Sequence, residues 1–259
     1  MWIKNEACRF SIQGADFMKN EKNTITFVNS RKLVGATMIF VIPSLIIAFF
    51  QLILAYTVYV PGMGIYDLTG AMLAKYDLIR ILMYALIIAC FFPIAITFYK
   101  SNGINIEKEF FADSKYLMDI GLGIAAAVSS FTVSYIIVHI ISGFPVYRFQ
   151  GYNTLWLNIL SYVIVSGICK EVYFRGIPFI FLEHEFGEWP AFLFANICFT
   201  ILDWPNVGLS FVLGLVWYLF YRKRGSLIIP VIGHGLYNFL CTLASMGVFS
   251  FLGIIPIQG

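Results

Sequence analysis

The sequence is poor in charge. Of its 259 residues only 12% are Asp, Glu, Lys or Arg, whereas 60% are hydrophobic, and the mean hydropathy is +0.83. A chain of this size with so little polar surface cannot cover a water-soluble globule, so the composition excludes one and makes the bilayer the solvent. The five cysteines, Cys8, Cys90, Cys169, Cys198 and Cys241, have no CxxC spacing, and the three histidines do not cluster. Reduced packing residues are the better reading over a disulfide or zinc framework, and neither metal nor cofactor is expected. The net charge of +3 is small, and its positive residues gather near the ends of apolar runs, which suits membrane orientation and offers nothing to nucleic acid. Internal repeats, low-complexity tracts and a soluble second domain are missing as well.

What is present is a series of long apolar runs. Residues 1–32 are polar and mixed in charge, without the basic-then-apolar layout of a signal peptide, and read as a cytoplasmic arm. Met18 is an alternative start, in which case the preceding stretch is a leader or a cloning remnant. Residues 33–259 form the transmembrane domain, with apolar runs at about 33–60, 78–99, 117–142, 155–182, 189–203, 207–221 and 226–250. The expected fold is therefore all-α: a polytopic helical bundle of about seven transmembrane helices, or eight if the last run breaks at Pro230 or Gly247.

The basic residues orient the bundle. Arg31 and Lys32, then Lys100, Lys108 and Lys115, then Arg222, Lys223 and Arg224 fall on one side, while the loops around 61–77 and 143–152 are poor in Lys and Arg. By the positive-inside rule the N-terminus is cytoplasmic.

Inside such a bundle an ionisable side chain costs about 2.5–3.5 kcal/mol on insertion scales, so it faces a partner or a water-filled cavity. The candidates are Lys170, Glu171, Arg175, Asp203 and His234, with Asn238 as a polar companion. Glu171 and Arg175 are four apart and share a helix face, as do His234 and Asn238, so each pair can touch or aim at a common point. A hairpin turning near residue 187 sets Lys170 and Asp203 about 25 and 24 Å from the turn at 1.5 Å per residue, which is one depth. The expectation is a Lys170–Asp203 salt bridge, with Glu171 and Arg175 as a second pair.

Plainer readings hold for other polar and aromatic positions. His139 lies on an apolar face and reads as structural, and His184, among Glu183, Glu185 and Glu188, as a solvated turn. The "RKRG" cluster reads as a topology determinant, and Trp204, Tyr218 and Tyr221 as interface anchors. Glu171 with Arg175 also suits a purely structural tie between spans, and His234 with Asn238 an interhelical hydrogen-bond pair.

Taken in order, "KEVYFR" (170–175), "FTILD" (199–203) and "HGLYN" (234–238) resemble the three motifs of the CAAX-protease and bacteriocin-processing (CPBP, or Abi) family of intramembrane proteases: Glu-Glu-x-x-x-Arg, Phe-x-x-x-His and His-x-x-x-Asn. The resemblance covers roughly residues 115–245 and implies an all-helical membrane fold with its site among the last four spans. It further implies that the first Glu and the motif-two His handle the attacking water, while the motif-three His and Asn stabilise the oxyanion. This chain retains Glu171, Arg175, His234 and Asn238, but has Lys170 for the first Glu and Asp203 for the motif-two His. A lysine cannot act as a carboxylate base, and a shift by one residue to Glu171 rotates the side chain by about 100°.

The leading reading is accordingly a catalytically degenerate family member. It would serve as a membrane scaffold, regulator or bacteriocin-immunity type protein that binds a membrane partner or peptide, and sit in a bacterial plasma membrane. An active intramembrane endopeptidase of CAAX-protease type, processing a peptide or a lipidated C-terminus, is the alternative. A transporter comes third, since no pair of Gly- or Pro-broken spans recurs in two halves.

Overall fold

A computed structural model describes residues 34–35, 38–39, 42–57, 70–111, 115–140, 155–201, 207–246 and 248–249. The chain divides after Gly35 into Met1–Gly35 and a second unit, Ala36–Gly259. Every regular element among the second unit's described residues is a helix, with α1 at Ile42–Thr57, α2 at Gly70–Ser101, α3 at Ile106–Phe111 and α4 at Tyr116–Ile140. A continuous helix, α5, runs over 155–186, followed by α6 at Glu188–Ile201, α7 at Val207–Tyr221 and α8 at Ile228–Ser245.

Each apolar run of the sequence thus holds a helix, and the bundle is the helical membrane fold that the composition demands. Ala74–Ser101, Tyr116–Ile137 and Leu155–His184 are long and apolar enough to cross a bilayer, and Gly208–Tyr221 and Ile228–Ala244 are shorter apolar helices. Large side chains such as Leu45, Phe49, Leu82, Ile124 and Ile164 point outward and exposed, an arrangement that hydrocarbon solvates and water would not.

The start of α2 and the short α3 differ from expectation. Helix α2 begins at Gly70 and takes in residues read as loop, because Ala71, Met72, Leu73, Ala74 and Lys75 are all good helix formers. Pro230 does not break α8: as its third residue it lies in the first turn, where a backbone N–H has no intrahelical acceptor to lose. Gly247 lies outside the described residues. The short α3 was not expected; Asn105 caps it by accepting from the Lys108 N–H at 3.2 Å, and its Phe110 is buried.

The turns after α5 and α7 are glycines with positive φ, Gly187 (+85°) and Gly225 (+68°), a conformation that penalises any Cβ. Where the helices cross, small residues replace large ones. A Cβ on Gly123 of α4 would lie 2.8 Å from the Ile232 Cβ of α8, and a Cβ on Gly167 of α5 would lie 2.9 Å from the Gly235 Cα of α8. Backbones in such contact pack without help from the hydrophobic effect, which lipid does not supply between helices. The core beside these crossings holds Ile47, Met83, Tyr173, Phe174, Phe199 and Trp217.

Candidate active site

The Gly167–Gly235 crossing builds the centre of the site. Glu171 lies one turn beyond Gly167 on the same face of α5, and His234 directly precedes Gly235 on α8, so the two backbones' approach brings carboxylate to imidazole. The Glu171 Oε1 and His234 Nδ1 are 2.6 Å apart. The other carboxylate oxygen, Oε2, accepts from Arg175 Nη1 within the same helix.

Around Glu171 helix α5 departs from α geometry. Ile159–Ser166 and Val172–Gly176 are π-helical, and a short α segment, Gly167–Glu171, lies between them. Such widened turns occur most often at functional positions.

All three charged or chargeable groups are out of solvent. Glu171 is 0% exposed, His234 4% and Arg175 5%. A buried carboxylate is stable only when its lone pairs are occupied, and here Arg175 and His234 take one oxygen each. The Arg175 Nη2 donates in turn to the Gly214 carbonyl of α7 at 3.2 Å. Its guanidinium lies 5.3 Å from the ring centroids of both Phe199 and Trp217, a cation–π contact on two sides. The His234 ring stacks on Trp217 at 4.3 Å and 16° and meets Phe199 edge-on at 5.9 Å.

The structure therefore joins Glu171, Arg175 and His234 into one centre. Lys170 stands beside it, its Nζ 5.3 Å from the Phe199 centroid. Asn238 does not share a target with His234: its Nδ2 donates to the Tyr162 carbonyl of α5 at 2.8 Å. Asp203 lies outside the described residues, as do Trp204 and the His139 side chain, so the expected Lys170–Asp203 contact falls there too.

His184 is half-exposed, 3.6 Å from Glu109 at a helix end. Tyr218 and Tyr221 are not edge anchors. They are 1% and 9% exposed and pack with Phe179 and Phe192, and the Tyr218 hydroxyl donates to the Glu188 Oε1 at 2.6 Å in a part-buried contact. Sequence reasoning missed Trp217, the stacking partner of His234, which sits in an unbroken apolar run with no marker of its role. It also missed Asn196, whose amide donates to the Phe211 carbonyl at 3.1 Å and whose Oδ1 would clash with any Cβ on Gly214.

Cys90, Cys169, Cys198 and Cys241 are free thiols. Among the described residues no three His, Cys, Asp or Glu side chains converge as a metal site would require.

Residues 152–240 match the family model described as type II CAAX prenyl endopeptidase Rce1-like. Over this stretch the chain is similar to the CAAX-protease family. The match spans about a third of the sequence, from the threshold of α5 into α8, and includes Lys170, Glu171, Arg175, His234 and Asn238. Helix α4, included in the region of resemblance, precedes it. No curated protein and no solved structure matches the chain.

Proposed function

We propose that this CAAX-protease-type membrane protein is a noncatalytic member of its family, a scaffold, regulator or immunity-type protein that binds a membrane partner or peptide. One observation carries the reading: both oxygens of Glu171, the only carboxylate retained in the first motif, are committed to Arg175 and His234. Peptide hydrolysis needs a base with a free lone pair aimed at water. The Glu171 carboxylate, 0% exposed and held between a guanidinium and an imidazole, turns no lone pair toward solvent. Lys170 stands where the family places its first Glu, and an ammonium supplies no base at neutral pH. The Lys/Arg pattern supports a cytoplasmic N-terminus, and the heavy use of Phe, Ile, Lys and Asn suits a bacterial plasma membrane.

The test is direct. Protein purified into nanodiscs and incubated with a prenylated CAAX-type peptide should give no product by mass spectrometry. Affinity purification from native membrane should yield a stoichiometric membrane protein or peptide. Turnover that disappears in His234→Ala would overturn the proposal and establish the rearranged-site endopeptidase. That second reading is favoured by one feature, the retention of Glu171, Arg175, His234 and Asn238 together.

A further inference from the structure

We propose that the cleft at the C-terminal ends of α5 and α7 binds an organic cation, the ammonium or guanidinium group of a polyamine or of a basic side chain. The cleft measures about 350 Å³, a size that small-ligand sites share. Phe179 of α5 and Tyr221 of α7 line it with rings packed edge to face at 5.8 Å, and Glu109 of α3, Glu183 of α5 and Glu188 of α6 line it with carboxylates. Two of the three carboxylates have a partner: Arg222 pairs with Glu188 at 2.7 Å, and His184 lies 3.6 Å from Glu109. The Glu183 carboxylate is partly buried and, among the described residues, closes no ion pair or hydrogen bond, while the charges of Glu188 and Glu109 oppose its own. Tyr221 is 9% exposed, and among the described residues its hydroxyl closes no hydrogen bond either, although the same three carboxylates act on it.

What the cleft lacks is a donor that carries positive charge. An N–H of a ligand seated there could donate to the Glu183 carboxylate and to the phenol oxygen of Tyr221, both of which accept. The helices add to the demand: α5 and α7 both end at the cleft, and Glu183 stands in the last turn of α5, where the helix dipole disfavours a carboxylate and favours a cation. Lys108 and Arg222 line the cleft too, but Lys108 is exposed and Arg222 is taken by Glu188. A metal ion does not fit, because among the described residues no three acidic or imidazole groups converge on one point. The spread suits a larger cation with several N–H donors, whose hydrocarbon stem packs on Phe179 and Tyr221. Glu183 lies twelve residues beyond Glu171 on α5, about 18 Å at 1.5 Å per residue, and the binding does not depend on whether the Glu171 centre is catalytic.

Isothermal titration calorimetry of the full chain in phosphatidylcholine nanodiscs tests this, with empty nanodiscs as the blank and two probes, spermidine and an acetylated Gly-Arg-Gly amide. At least one probe should bind saturably at one per chain, and the tighter of the two identifies the source of the cation, free amine or basic peptide. Glu183→Gln keeps the size of the side chain, removes its charge and should weaken binding about tenfold, the effect of one charge-assisted hydrogen bond. Tyr221→Phe keeps the ring, removes the hydroxyl and should weaken it about threefold. Glu107→Gln, exposed on α3 and outside the lining of the cleft, should leave the affinity unchanged. No binding of either probe above the blank, binding undiminished by Glu183→Gln, an equal loss in Glu107→Gln, or calcium binding as tightly as the probes would each overturn the site.

Discussion

At the scale of single residues, Glu171 is held by two unlike partners. Its contact with Arg175 followed from a spacing of four on a helix; its contact with His234, across two helices, did not. No sequence period reports a crossing point, and the only local trace of this one is a glycine on each helix. Because the charges are buried, removing one partner leaves the other exposed to a low dielectric. Arg175→Met should destabilise the protein by about 3–5 kcal/mol, and the Glu171→Gln/Arg175→Met double variant should recover much of the loss, read from unfolding in detergent. The proposed Lys170–Asp203 pair answers to the same cycle. Lys170→Met and Asp203→Leu should each cost about 3–5 kcal/mol and combine non-additively, and strict additivity would show the two substitutions to be unrelated.

At the scale of helices, hydropathy placed all seven apolar elements, because lipid-facing and core-facing positions are both apolar and only the ends carry contrast. The same uniformity hid what lies between the ends. Nothing in "NILSYVIVSGICKEVYFRG" marks two π-helical segments, and α2 starts early because its first turns are good helix formers with modest hydropathy. The glycine crossing gives the element-scale prediction. Gly167→Ala places a methyl 2.9 Å from the Gly235 Cα and should cost about 1–3 kcal/mol, while separating Glu171 from His234. Gly121→Ala on α4 meets nothing within 4 Å and should be neutral or stabilise by up to about 1 kcal/mol. Matched unfolding curves of the two variants check the difference.

At the scale of the molecule, the turns rich in Lys and Arg gather at one end of the bundle. The Phe110 carbonyl of α3 accepts from the Leu227 N–H after α7, Arg222 pairs with Glu188 at 2.7 Å, and Arg224 reaches Asp119 at the start of α4. Cysteine-accessibility labelling should accordingly find residues 102–115 and 222–225 on one side, the cytoplasmic one by charge, and 62–75 on the other. The reverse labelling would overturn the orientation.

The Asp119–Arg224 pair carries a consequence for how the protein is made. By the positive-inside rule, a turn such as Arg222, Lys223 and Arg224 would act during insertion as an address that keeps its loop behind. Once the helices assemble, two of those three cations are spent on Glu188 and on Asp119, which is 0% exposed. On that reading one arginine would serve biogenesis first and architecture afterwards, and the acid would be needed only for the second task. Asp119→Asn should leave the labelling pattern unchanged while lowering the stability of the finished bundle by about 1–3 kcal/mol, separating in one variant the step that orients the chain from the step that locks it.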